Sequence, residues 1–397
     1  MAPIRLGQIY SGNDQMVCDE FGSSCDDGRS VLVIGAGPAG LATAASLRML
    51  GIQPRVVDKY GEAGGAYTRM YPGITLSSPT TFLSLPGMEI EKTRPYSMVP
   101  EFVRYLGRYA AAFDITPETD VVESVRRTSN GFFVRFQQQP PHEFRAVVVA
   151  TGMCDHPVWP TIPGLGKDRE EGPSVIHVKD WPGPDRYRGH RMLIVGGGMR
   201  AVEIAEECAT AGIRTVVSSR SGRVRVLPQF PLVLLGHDAR KFTFRLAKHV
   251  RFFPSLARVL CERPFTFWGI DRCYSNFRNA GIIGEARLVR RFDGTRGFFE
   301  NGSWCDFDAV VCATGYGFRF PFLPAEVERW WASGYPRTRN GESRSWPGLY
   351  FVGVPCSRGL DSQFLHGIAI DAVAVARQIS QRLRRFAQES RSGRVGP

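Results

Sequence analysis

Val31-Leu32-Val33-Ile34-Gly35-Ala36-Gly37-Pro38-Ala39-Gly40-Leu41-Ala42-Thr43-Ala44-Ala45-Ser46-Leu47 decides the fold. Four apolar residues read as a buried parallel strand, and glycines at 35, 37 and 40 follow with G-x-G-x-x-G spacing. Apolar residues at 41, 44, 45, 47 and 50 then recur at helical intervals. Each glycine has its own task. Gly35 makes the tight turn, Gly37 lets the backbone approach a pyrophosphate, and Gly40 lets the helix pack on the strand. Pro38 and Ala39 share that turn, at a helix start whose N–H groups and dipole favour a phosphate. A second strand, Pro54-Arg55-Val56-Val57-Asp58, ends on an acid about 20 residues downstream, where a carboxylate holds adenosine ribose hydroxyls.

Outward from this unit, Gly64-Gly65-Ala66-Tyr67 is a glycine-rich turn followed by an aromatic, and residues 74–87 read as an irregular Ser/Thr/Pro-rich segment. Residues 100–113 carry helical periodicity through Phe102, Leu106, Tyr109, Ala110 and Phe113. Residues 119–125, Val122 among them, with 131–136 and 142–146, read as a meander. Ala146-Val147-Val148-Val149-Ala150-Thr151-Gly152 is a short buried strand ending in small residues.

The opening pattern then returns. Met192-Leu193-Ile194-Val195-Gly196-Gly197-Gly198-Met199-Arg200-Ala201 is again strand, glycine turn and helix, with Gly196, Gly198 and Ala201 at the three motif positions. Its second strand ends on Ser219 and Arg220 in place of an acid. An acid there repels a 2′-phosphate and Arg220 accommodates one, which favours NADPH; the other reading is a surface arginine. Asp308-Ala309-Val310-Val311-Cys312-Ala313-Thr314-Gly315 repeats the strand ending in Ala-Thr-Gly, and a strand reaching Val352-Gly353 precedes a closing helix.

Two such units imply an α/β fold with two dinucleotide-binding, Rossmann-like domains, the second inserted into the first. The expected layout is a flexible arm over 1–28, a discontinuous FAD domain over 29–160 and 310–390, and an NADPH domain over 161–309. That domain carries an expected helical insert over 222–300, with amphipathic pieces near 230–250 and 252–261.

Composition excludes other classes. Of 397 residues, 43% are hydrophobic and 22% charged, as in soluble globular proteins, and no apolar run is long enough to span a membrane. The first 29 residues hold five acids and no apolar core, so they are not a signal peptide. The net charge of +12 comes from arginines spread along the chain without an aromatic-plus-basic module, which argues against a nucleic-acid partner. Nine cysteines form no C-x-x-C and no metal-spaced cluster, so no metal, reduced thiols and a cytoplasmic location are expected.

These motifs together resemble the class B flavin-dependent monooxygenases, over nearly the whole chain from about residue 30; the layout is similar to the compact YUCCA-like and bacterial flavin-containing members. Gly64-Gly65-Ala66-Tyr67 stands where those have Gly-Gly-x-Trp, and Val352-Gly353 with Arg358-Gly359-Leu360 matches their C-terminal pattern. His177-Val178-Lys179-Asp180-Trp181-Pro182 carries the second half of the class signature F-x-G-x-x-x-H-x-x-x-W/Y, with the Trp-Pro ending of the Baeyer–Villiger branch. Glu171 and Pro173 replace the Phe and Gly of its first half, and residues 75–80 lack the asparagine that flavin-containing monooxygenases keep near the flavin.

The resemblance implies FAD and NADPH as cofactors, with a small organic substrate and O₂ as partners and a homodimer left open. It implies oxygen insertion through a C4a-(hydro)peroxyflavin, giving N-, S- or C-hydroxylation. The alternatives are Baeyer–Villiger oxidation of a ketone, or an NADPH oxidase or reductase without oxygen insertion. It implies catalytic roles for His177, Trp181, Arg358 and His366. His177 would support nicotinamide movement, or merely bond backbone between the domains; Arg358 and His366 would face the flavin, or cap and solvate. It extends the cofactor-binding set to Lys59, Gly65, Tyr67, Val122, Ala150, Thr151, Gly152, Met199, Thr314, Gly315 and Gly353. Cys154 reads as a small buried apolar group, and no paired cysteines support a thiol-disulfide reductase.

Overall fold

The two glycine motifs head two separate parallel sheets. The computed structural model describes residues 30–166, 172–228, 269–327 and 335–391. The first unit runs β1 (Val31–Ile34), α1 (Pro38–Arg48), β2 (Arg55–Asp58), α2 (Val99–Ala112) and β3 (Glu118–Thr119). A meander of β4 (Val122–Arg127), β5 (Phe132–Phe136) and β6 (His142–Phe144) leads into β7 (Ala146–Val149). The second unit holds β8 (Ser174–His177), β9 (Met192–Val195), α3 (Met199–Thr210), β10 (Thr215–Ser218), β11 (Val226–Pro228) and β12 (Gly269–Asp271). It continues through α4 (Tyr274–Asn279), β13 (Ile283–Ala286), a second meander of β14 (Val289–Asp293), β15 (Arg296–Phe299) and β16 (Trp304–Asp306), and β17 (Ala309–Cys312). The chain then forms β18 (Thr338–Arg339), β19 (Glu342–Ser343), β20 (Leu349–Phe351) and α5 (Leu365–Arg391).

The first sheet has the order β18-β19-β20-β7-β1-β2-β3 and the second β13-β10-β9-β17-β8. In the first, Ile34 lies opposite Val57 and Val149 on its parallel neighbours. Gly35, Asp58 and Ala150 therefore leave three adjacent strands at one carboxyl edge, where ligands bind in open α/β sheets. In the second, Val195 lies opposite Ser218 and Cys312, which puts Gly196, Ser219 and Ala313 at the corresponding edge.

Two expectations are corrected. β17 pairs with β9, so the second Ala-Thr-Gly closes the nucleotide sheet and the return to the first sheet begins only at β18. Each Ala-Thr-Gly thus ends its own sheet's strand beside that sheet's glycine strand. The expected helical insert also fails over its described C-terminal part. β13 is an edge strand of the nucleotide sheet and β14 and β15 belong to a meander, leaving only the six-residue α4 as helix. The amphipathic pieces expected near 230–250 and 252–261 lie outside the described residues, as does the arm over 1–28.

Helices cover one face of the first sheet. α2 places Phe102, Tyr105, Leu106 and Tyr109 inward at helical spacing, and Glu101 reaches back to accept the Met98 N–H at 2.9 Å, closing its first turn. α1 is buried on nearly all sides and is accordingly built of Ala, Gly, Ser and Leu. The opposite face packs Leu32, Val57, Val147 and Phe351 on the first meander. Each half thus has its own core. Their two connections run side by side: Pro157 bridges Tyr316, with Val158 N–H to Gly315 O at 3.0 Å and Gly317 N–H to His156 O at 2.8 Å.

Among the described residues no helix is long and apolar enough to cross a membrane. Cys154, Cys208, Cys273, Cys305 and Cys312 are free thiols; Cys356, against the expectation of reduced thiols, is disulfide-bonded.

Candidate active site

At the first glycine turn, Gly35 has φ +108, and a Cβ there would lie 2.6 Å from Ala150 O. A Cβ at Gly40 would lie 1.7 Å from Gly35 O, so helix and turn touch only because both residues lack side chains. Gly37 differs: a Cβ there would meet nothing nearer than Gly64 O at 4.0 Å. That open face precedes Pro38 and Ala39 at the start of α1. Asp58 Oδ2 accepts the Ala36 N–H and Oδ1 the Tyr60 N–H, both at 2.8 Å, and each oxygen keeps a lone pair for a ribose hydroxyl. Gly65 packs so closely on Gly37 that a Cβ would come within 3.0 Å of its nitrogen, and a Cβ at Gly353 would come within 3.0 Å of the Ala39 Cβ. Thr151 Oγ1 is buried without a hydrogen-bond partner, and Gly152, at φ +66, faces open space. An orphaned hydroxyl beside an open glycine edge fits a large polar cofactor seated there.

Three predicted members stand elsewhere. Val122 is buried in the core between the first meander and its sheet, because its strand turns that side chain inward. Lys59 Nζ pairs with Asp155 at 2.9 Å, and Asp155 also accepts from Tyr60 OH at 3.0 Å and faces Lys179 at 3.6 Å. This carboxylate links the end of β2 to the segment after β8; its pKa falls despite partial burial because Lys59 and Tyr60 bond it and Lys179 lies near. Tyr67 packs edge-on to Phe102 at 5.2 Å, and burial, with Cys154 nearby, raises its hydroxyl pKa.

The second turn repeats the geometry. Gly196 has φ +134, with Ala313 O 2.3 Å from an added Cβ, and Ala201 is fully buried at the helix-packing position. Gly198 precedes Met199, the first residue of α3, whose Sδ accepts from Ser77 Oγ at 2.6 Å, bringing the two halves into contact. Ser219 is buried and Arg220 exposed at the end of β10. Thr314 Oγ1 donates to Val158 O at 2.5 Å, and Gly315, at φ +84, faces open space.

Each of the four catalytic candidates lies against partners within the chain. His177 is fully buried; its Nδ1 accepts the Lys179 N–H at 3.1 Å, so Nε2 carries the proton and donates to Gly315 O at 3.1 Å. Both nitrogens serve backbone, between the rings of Trp159 and Tyr316 at 5.3 and 5.2 Å. Trp181 donates to Glu207 at 2.8 Å and stacks on Tyr187 inside the nucleotide half, because its ring completes that core. Arg358 pairs with buried Asp371 at 3.3 Å, tying the loop after β20 to α5, and His366 Nε2 lies 3.6 Å from buried Asp361. Burial pushes the Cys154 thiol up to about 11, so it is protonated at neutral pH.

Sequence reasoning missed Ser77, Asp155, Tyr316 and Arg200. Only Arg200 left a signal: a long charged side chain among the small residues of a glycine turn.

Two glycine cradles, each at a sheet's carboxyl edge and in halves that touch through Ser77 and Met199, define a two-nucleotide oxidoreductase. Residues 32–232 match the family described as pyridine nucleotide-disulphide oxidoreductase. The chain is 29% identical over 392 residues to a probable indole-3-pyruvate monooxygenase, YUCCA8, of Arabidopsis thaliana, covering 88% of each. It is 30% identical to the indole-3-pyruvate monooxygenase YUCCA8 of Oryza sativa subsp. japonica, covering 88% of this chain and 90% of that one. A flavin-containing monooxygenase from Stenotrophomonas maltophilia shares the fold with TM-score 0.71 at 22% identity, over 89% of this chain and 98% of that one. The chain belongs to the pyridine nucleotide-disulphide oxidoreductase family and, within it, to the YUCCA-like flavin-dependent monooxygenases. It is an oxidoreductase of the flavin-dependent monooxygenase kind.

Proposed function

We propose that the chain places one atom of O₂ into a small organic substrate by N-, S- or C-hydroxylation, the other atom leaving as water. The observation that carries this reading is the contact of the first half with the second glycine turn, where Ser77 meets Met199 at the start of α3. Bound FAD and NADPH would supply the redox chemistry, with the electrons originating on the nicotinamide.

The chain's own part is to hold, orient and exclude water. Asp58 would hold the adenosine ribose of FAD, Gly37 and the start of α1 its pyrophosphate, and Thr151 with Gly152 the part lying over the sheet edge. Gly196, Gly198 and the start of α3 would hold the NADPH pyrophosphate, with Ser219 and Arg220 at its 2′-phosphate. His177 fixes Gly315, the glycine at the crevice edge of β17, through the Nε2–H bond. Tyr67 and Tyr316 have hydroxyl pKa values raised chiefly by burial, so neither brings negative charge into the crevice at neutral pH. Trp181, whose Trp-Pro ending suggested Baeyer–Villiger oxidation, lies in a core, and nothing about its position favours a ketone.

The test is product stoichiometry under ¹⁸O₂ with a panel of amines, thioethers and aromatic 2-oxo acids. The expected result is one labelled oxygen in product per NADPH consumed with at least one substrate class. Hydrogen peroxide equal to NADPH consumed with every substrate would make it an oxidase; acceptor reduction without O₂ uptake would make it a reductase.

A further inference from the structure

A cavity of about 360 Å³ opens between β19, β20 and the C-terminal half of α5. It lies at the amino edge of the first sheet, away from both glycine turns. Gly348, just before β20, accepts the Val147 N–H at 3.0 Å, which places it beside the start of β7 and opposite the edge that carries Gly35 and Ala150. Arg382 of α5 is pressed flat on this glycine: a Cβ there would lie 2.9 Å from Nε and 3.1 Å from Nη2. The same guanidinium lies over the Phe386 ring at 5.0 Å, and Arg145 lies over that ring at 5.3 Å. Arg385, three residues on, lines the cavity with Arg382.

These cations are not answered by acids. Arg382 Nε is buried without a hydrogen-bond partner, and neither Arg382 nor Arg385 makes an ion pair among the described residues. Other arginines of this half do pair, as Arg55 does with Glu118 and Arg358 with Asp371. The acid of the cavity wall, Glu342, accepts the Gly348 N–H at 2.7 Å and stands beyond ion-pair distance of both arginines. A buried donor without an acceptor is rare in folded proteins, and gathered like charges repel until an anion joins them.

We propose that this cavity binds a small oxyanion, a phosphate or carboxylate group held between Arg382 and Arg385. The fork of Arg382 is already fixed on Gly348 and Phe386, so little side-chain freedom is lost when it takes the anion. The volume admits a small molecule bearing such a group.

The experiment is calorimetric titration with inorganic phosphate and, separately, with succinate, at matched ionic strength in Tris chloride. FAD and NADP⁺ are kept in excess so that the glycine turns do not compete for phosphate. Saturable binding of at least one anion is expected. Arg382→Gln is expected to weaken it about tenfold or more and Arg385→Gln several-fold, the effect of losing charge-assisted bonds. Arg127→Gln, at an exposed arginine of β4, is expected to change nothing. In chloride alone Arg382→Gln is expected to melt no lower than the unaltered protein, because it removes an unanswered buried donor. Phosphate binding without succinate binding would identify a phosphate ligand, and the reverse a carboxylate; both uphold the site. Binding of neither anion, or unchanged affinity in Arg382→Gln, would overturn the proposal. So would an equal loss in Arg127→Gln, since the effect would then be one of net charge. If Arg382→Gln fails to fold, Arg385→Gln decides, and unchanged affinity there would overturn the site.

Discussion

Gly37 and Gly40 stand three residues apart in one turn and respond differently to an added methyl group. Gly40 sits against Gly35 O, so Gly40→Ala must push α1 off β1. Gly37 has φ −71, which any residue adopts, and open space beside it. Gly37→Ala is therefore expected to melt as the unaltered apoprotein does yet emerge from gel filtration with little FAD. Gly40→Ala should lose several degrees of melting temperature before cofactor is considered. Circular dichroism melting and the ratio of flavin to protein absorbance check both, and equal melting of the two variants would contradict the packing argument. At this scale the sequence was informative wherever the backbone dictates the residue, as at Gly35, Gly40 and Asp58. It left two readings open for His177, Arg358 and His366 and did not show the partners: His177 Nε2 and Trp181 Nε1 bond groups 138 and 26 residues away, Arg358 pairs with buried Asp371, and His366 lies 3.6 Å from buried Asp361. Residue type suggests chemistry; only tertiary placement shows which atoms are already engaged.

α3 and α4 are joined by a single carboxylate. Glu206 Oε1 accepts N–H bonds from Arg272, Cys273 and Tyr274 at 2.8, 2.9 and 2.9 Å, satisfying the donors that open α4. Glu206→Ala would leave these three donors, the Tyr274 N–H buried among them, without their acceptor and is expected to cost about 2 kcal/mol. Glu206→Gln keeps an acceptor oxygen and is expected to cost about 1 kcal/mol or less, since burial already raises the pKa of this carboxyl. Denaturant melts of the two variants test this, and similar losses would refute the capping role. Elements with strong periodicity, α2 and the two glycine-turn helices, were legible. The assignment of β17 and β13 to the nucleotide sheet was not, because short apolar strands carry no mark of which neighbour they pair with.

The whole molecule consists of two halves with separate cores, which predicts separable responses to ligand. NADP⁺ at about one hundred times its Kd should stabilise the half that binds it by about 2.7 kcal/mol. Hydrogen exchange of β9, β10 and β17 amides should slow by up to about a hundredfold, while β1, β2 and β7 change little. Equal slowing in both halves would mean that they open as one unit. The duplicated layout was readable from two glycine motifs, whereas its boundaries depended on pairing across 157 and 316. That pairing has a mechanical consequence. Because the outgoing and returning strands are bonded to each other, the halves are joined by one two-stranded neck and not by two independent tethers. Rotation of one half against the other is then torsion of a single ribbon, and that ribbon ends on Gly315 and His156, at the rim of the crevice it would open or close.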